Sequence, residues 1–392
     1  MIKRLPADFL VEEQADLPLR PAGGFRVYAL QKSGWTTLDL IRQVAGAARI
    51  PLSRISYGGK KDKHGLTTQF IAIRDTRDLE GRGKDFSLRA VGFMDRPMGP
   101  DLIRANAFTV TIRDLEDIAP LARAAEEVRQ SGFPNFFDDQ RFRSYDPERD
   151  FFADKILRRH WNGALLVYLT SAAAGSTKKE RARLTGIFES WKDWPACLRL
   201  AREPYEKTIF AYLLGQPGDF RGALRLIPDE EVAMRYAAFQ SHLWNEVLRR
   251  MLRLKIKDLE EVKGTEGSYL FWRRLDSGAL DWLGTLEIPT AAAKTEFRDD
   301  ITAAIYADIL REAGLRPGAF RTKELRRIGF RSFLRKAMIL PEGLKILDSG
   351  ADDLNPRRKK VRLSFTLLRG AYGTMLIKRL GLAFPAGRKA ME

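Results

Sequence analysis

The stretch "KVRLSFTLL" at residues 360–368 puts Val361, Leu363, Phe365 and Leu367 at every second position, with Arg362, Ser364 and Thr366 between them. That two-residue period belongs to a strand with one face buried. A matching strand stands far upstream in "NAFTVTIRD" (106–114), where Phe108, Val110 and Ile112 alternate with threonines. Between the two, from about Phe152, the pattern becomes helical. Its longest run, about Glu230 to Arg253, is centred on "AAFQSHLWNEVLRRML". Strand-forming segments on both sides of a helical stretch imply an α+β fold, in which a mostly antiparallel sheet domain is interrupted by a largely helical insertion. The expected division is 1–155 with 341–392 for the sheet domain and 156–340 for the insertion.

Other segments fit this layout. Phe25 to Gln31 reads as a strand, and Thr36 or Thr37 then caps a helix with Leu38, Ile41, Val44 and Ala48 at helical spacing. Gln69 to Ile73, Phe86 to Met94 and "KAMIL" (336–340) read as strands. Helices are expected over about Pro120–Arg129 and Asp299–Ala313, and the chain closes in a glycine turn and a helix, "RGAYGTMLIKRLGL" (369–382).

Composition narrows the chemistry. Lys and Arg number 68 against 51 Asp and Glu in 392 residues, a net charge of +17. A surplus of that size favours a polyanionic partner, because each phosphate neutralised releases condensed counterion. There is no apolar run of 18 residues, and "MIKRLPADF" lacks the apolar stretch of a signal peptide, so a cytoplasmic protein with no membrane segment is expected. One cysteine, Cys197, and three scattered histidines, His64, His160 and His242, provide neither a disulfide framework nor metal-ligand spacing. Signatures of phosphate-cradling glycine loops are absent as well. Chemistry, if present, falls to carboxylates, lysines and aromatics.

One segment concentrates those groups. "SYGGKKDKHGLTTQF" (56–70) surrounds a single carboxylate, Asp62, with Lys60, Lys61, Lys63 and His64, between glycines at 58, 59 and 65. Taken alone it is a polar turn, the usual fate of such a motif. It is not alone. "KRLPADFLVEE" (3–13), "YGGKKDKHGLTTQ" (57–69), "PNFFDDQRF" (134–142), "AAFQSHLWN" (237–245) and "RGAYGTMLIKRL" (369–380) occur in this order. Together they resemble the TruD family of tRNA pseudouridine synthases over nearly the whole chain. Two aromatic swaps distinguish this chain, Tyr372 where the family often has Phe and Phe136 where it often has Tyr. The 152–236 region is longer than in compact bacterial members and is similar to the archaeal and eukaryotic form.

The resemblance implies a pseudouridine-synthase sheet domain with an inserted TRUD domain. It also implies isomerisation of a uridine in tRNA, by default uridine 13 of the D arm, with no metal and no organic cofactor. Asp62 takes the place of the nucleophile. Lys3, Phe9, Lys61, Asn135, Phe137 and Tyr372 take the places of groups around base, sugar and phosphate.

Physical chemistry agrees with that assignment. Breaking a base–sugar bond builds positive charge at C1′, which an adjacent carboxylate can stabilise or capture. Neighbouring cations keep that carboxylate ionised and attract phosphate. A base inside folded RNA has to be flipped out and covered by an aromatic ring. Gln69 and Arg141 are expected to brace loops, Ser241, Trp244 and Asn245 to be structural, and "RTKELRRIGFRSFLRK" (321–336) and "NPRRKKVR" (355–362) to be either solvated faces or lining of an RNA path. A monomer is the default expectation. The alternative reading is a non-catalytic RNA-binding or chaperone protein on the same scaffold. A base-excising glycosylase would require a second carboxylate to activate water.

Overall fold

A computed structural model describes residues 4–75, 77–172, 176–322 and 328–384. The chain divides into two compact units, residues 1–133 with 339–392 and residues 134–338. Residues 134–155, expected from sequence to belong with the sheet domain, group with the second unit instead. Their partners explain this: Asn135 bonds to Ala337 and Lys336, and Phe137 to Asn245, all within 134–338.

The first unit is built on nine strands among the described residues: β1 (Phe9–Ala15), β2 (Phe25–Lys32), β3 (Ile55–Tyr57), β4 (Leu66–Ile73), β5 (Gly81–Gly83), β6 (Phe86–Met94), β7 (Ile103–Leu115), β8 (Glu342–Ala351) and β9 (Lys359–Leu368). Their order across the sheet is β8-β9-β7-β1-β4-β2-β6-β5, with β3 paired to β4. β1 and β4 run parallel and the other pairings are antiparallel. Cross-strand register puts Lys32, Thr67, Val11, Phe108 and Phe365 in one row and Glu13 opposite Asn106 in the next. Directly opposed residues share a face.

Helix α1 (Thr37–Ala48) covers part of that face. The Thr36 hydroxyl accepts the Asp39 amide at 3.1 Å, satisfying one of the free amides at the helix start. Leu40, Ile41, Val44 and Ala45 then pack on Tyr28, Leu30, Ile71, Ile73 and Leu88. This burial fixes where α1 begins, and hence where the Thr37 side chain lies. Helix α2 (Ala119–Ser131) and the C-terminal helix Gly373–Gly381 complete the unit.

Four of the nine strands were not legible from the pattern, among them the three-residue β3 and β5. β1 places Glu13 at a buried position after Phe9 and Val11, and β8 is an edge strand with most of its residues exposed. The second unit is mainly helical, with the long helix Asp229–Lys255 at its centre. Among the described residues, no helix is long and apolar enough to cross a membrane.

Candidate active site

The 58–65 loop between β3 and β4 is shaped by buried groups below it. Thr37 donates its hydroxyl to Gln69 Oε1 at 2.8 Å and accepts the Lys61 amide at 2.9 Å. Gln69 also donates to the Gly59 carbonyl at 3.1 Å. Each such bond contributes about 1 kcal/mol net, and losing one partner leaves a buried polar group unsatisfied. Gly65 is required by contact rather than by backbone angle, since a Cβ there would lie 2.5 Å from the Phe9 carbonyl oxygen.

Lys61 has its charge engaged inside the protein. Its ammonium meets Glu13 Oε2 at 2.7 Å and Asn106 Oδ1 at 2.6 Å, and Glu13 in turn accepts the Phe70 amide. The sequence suggested phosphate or substrate contact for this lysine. The geometry instead has it anchoring the loop to β1 and β7.

Asp62 follows directly. It is partly exposed, and its Oδ1 accepts the His64 amide at 3.0 Å in a tight turn. Lys63 and His64 are exposed beside it. Beneath the loop, at the end of β2, Lys32 is fully buried. Its ammonium donates to the carbonyls of Asp62 at 2.7 Å, Trp35 at 2.9 Å and Lys61 at 3.4 Å. Sequence reasoning passed over Lys32, although continuing the inward alternation Tyr28, Leu30 points to it.

Phe9 is 3% exposed and meets Phe108 edge-on at 6.0 Å, while Phe108 stacks on Phe365 at 5.1 Å. Tyr372 is half-buried at the start of the C-terminal helix. The next residue, Gly373, lies so close to Phe108 that a Cβ would come within 2.9 Å of its ring. The first unit therefore gathers Lys61, Asp62, Phe9 and Tyr372 around one face of its sheet. Lys3 lies outside the described residues.

The entry segment is held by a group that the sequence did not single out. Asp8 accepts the Leu5 amide at 2.9 Å and pairs with buried Arg113, which also reaches Asp352 and Asp353. In the 355–362 tract, Arg358 pairs with Asp114 and Glu116, Lys360 with Asp353, and Arg362 with Asp348. Exposed pairs of this kind contribute little to stability, though they temper the basic charge of the tract.

Asn135 and Phe137 belong to the second unit and are held there on several sides. Asn135 donates to the Lys336 carbonyl at 2.8 Å and accepts from Arg335 at 2.6 Å. Asn245, from the long helix, accepts the Phe137 amide and donates to its carbonyl, both at 2.9 Å. The Phe137 ring lies edge-on to Trp244 at 5.4 Å, with the Arg335 guanidinium 4.1 Å from its centroid and Arg141 at 5.5 Å. Arg335, from the basic 321–336 tract, is thus a buried structural cation; residues 323–327 of that tract lie outside the described residues.

A phenylalanine packed in this way carries stability. Phe137→Ala is expected to cost about 3–5 kcal/mol, as for other buried aromatic truncations. A thermal melt checks this, and an unchanged melting temperature would show that the ring is not part of the second unit's core.

Comparison with known proteins identifies the family. The sequence profile of the family described as tRNA pseudouridine synthase D (TruD) matches residues 1–266. The tRNA pseudouridine synthase D of Leptospira interrogans is 29% identical over 97% of this chain and 96% of its own length. That of Aquifex aeolicus is also 29% identical, over 97% of each chain. The crystal structure of a Methanosarcina mazei protein assigned to TruD superposes with a TM-score of 0.70 at 23% identity, covering 98% of this chain and 94% of that one, a likeness of fold. With the profile matched over more than half its length, and the fold shared, this chain belongs to the TruD family of pseudouridine synthases, which are isomerases.

Proposed function

We propose that this protein converts a uridine of tRNA, uridine 13 of the D arm, to pseudouridine, with Asp62 as the nucleophile acting on a flipped-out nucleotide. The observation that carries the reading is the construction of the loop. Lys32, Thr37, Lys61 and Gln69 hold its backbone from below, while the Asp62 carboxylate stays partly exposed among cations.

Cleavage of the N1–C1′ bond leaves electron deficiency at C1′, which the Asp62 carboxylate stabilises or bonds. The detached uracil turns, C5 bonds to C1′, the C5 proton is lost and N1 gains one. No water is activated, so a single carboxylate is enough. Of the three aromatic rings offered by the resemblance, Tyr372 is the half-buried one and is proposed to face the base. Phe9 and Phe137 are proposed to act through packing, Phe9 as the wall beside Gly65 and Phe137 as the core of the 135–137 turn.

The test uses tRNA transcripts tritiated at C5 of uridine. Tritium released to water in step with pseudouridine formed is the expected result, and a transcript with cytidine in place of uridine 13 is expected to release none from that position. Tight binding without release would favour the non-catalytic RNA-binding reading. Free uracil would point to base excision, and release that survives the cytidine replacement would move the target elsewhere.

A further inference from the structure

Lys32 is out of keeping with its surroundings. It is a fully buried ammonium at the end of a core strand, and it donates to backbone carbonyls. Burying an uncompensated charge is costly, and an apolar residue of similar volume would serve packing as well or better. The compensation comes from three carbonyl dipoles, Trp35, Lys61 and Asp62, two of which belong to the nucleophile loop, and from the field of the Asp62 carboxylate. Lys61 cannot take over this role, because Glu13 and Asn106 engage it.

We infer that Lys32 is a positioning residue for the reaction, fixing the backbone at Lys61 and Asp62 and placing a positive charge below the Asp62 carboxylate. The inference rests on the reading of Asp62 as nucleophile. A carboxylate that must reach one carbon within a few tenths of an ångström depends on its backbone, and displacement by about 1 Å can lower a rate about a hundredfold. Burial, opposed by the field of Asp62 and reinforced by that of Lys61, brings the Lys32 ammonium down to about 8, so this charge is lost at mildly alkaline pH. Asp62 and Lys61 are the charged groups that bear on it.

The test compares wild type, Lys32→Met and Asp62→Asn in single-turnover pseudouridine formation, tRNA affinity and thermal melting. Lys32→Met is expected to melt near wild type and to bind tRNA within about threefold. Its rate is expected to fall about a hundredfold, as for a nucleophile displaced by about 1 Å. Wild type is expected to lose rate as pH rises through about 8, and Lys32→Met to lack that limb, whereas a limb from the substrate would persist in both. A wild-type rate in Lys32→Met overturns the inference. So does a collapse of its melting temperature, which would make Lys32 a residue of the fold. Retained turnover in Asp62→Asn would instead overturn the reading of the nucleophile, separately from anything Lys32→Met shows.

Discussion

Asp62→Asn is expected to abolish pseudouridine formation while leaving tRNA binding intact. Asparagine matches aspartate in shape, and its Oδ1 can still accept the His64 amide that closes the turn at 3.0 Å. The bonds that hold the loop come from Lys32, Thr37, Lys61 and Gln69, none of which uses the Asp62 carboxylate. Geometry should therefore survive, whereas the ability to bond or stabilise C1′ does not. Loss of a covalent or electrostatic catalytic group lowers turnover by at least about a thousandfold. Removing a negative charge near Lys63 and His64 also relieves repulsion of phosphate, so affinity should hold or rise. Measured on one preparation at fixed salt, retained turnover would exclude Asp62 as nucleophile. Loss of turnover together with loss of binding would make it a structural residue.

Arg113→Leu is expected to destabilise the first unit strongly. The buried guanidinium reaches Asp8 at 2.9 Å, Asp352 at 2.8 Å and Asp353 at 2.7 Å. Removing it leaves two buried carboxylates without their cation, at a cost of about 3–5 kcal/mol. For a unit of this size that lowers the melting temperature by roughly ten degrees. The penalty should shrink in acid. Burial alone would raise the Asp352 carboxyl, but hydrogen bonds from Asn355, from the Leu354 and Asp114 amides and from Arg113 outweigh it and hold the group near 2. Its contribution is complete above the ordinary carboxylate range and is lost as pH falls toward 2. Melts of wild type and variant at neutral pH and at about pH 3 check both parts, with pH 3 lying between the folded and ordinary carboxylate values. Equal melting temperatures at neutral pH would show that the network does not stabilise the fold.

How much of this could be read beforehand differs from residue to residue. The alternation in 360–368 and in 106–114 correctly showed two strands, because each keeps one apolar face. β1 escaped notice because its third inward position is Glu13, a carboxylate that meets Lys61 and the Phe70 amide there. Lys32 was missed for the same reason, since an inward lysine breaks the apolar pattern at the end of β2. In both strands the break in the pattern falls where the strand meets the 58–65 loop. The parallel pairing of β1 with β4 leaves no local trace at all, because it depends on partners distant in sequence. The sequence pointed Lys61 toward substrate or phosphate and left Arg335 in a tract that was either a solvated face or the lining of an RNA path, and only tertiary structure shows both bonded inward.

The order of elements in the sheet also governs when the protein can be finished on the ribosome. β7 is made early, but its outer neighbour is β9, so Leu115 meets Lys359 only after the entire second unit has been synthesised. During that interval β7 has an open edge, the kind that invites pairing with another nascent chain. Closing so long a loop adds little entropy for each further doubling of its length, so changes in the size of the insertion are thermodynamically mild. What lengthening does extend is the time for which the half-built sheet is exposed, and that places a kinetic limit on how large such an insertion can grow.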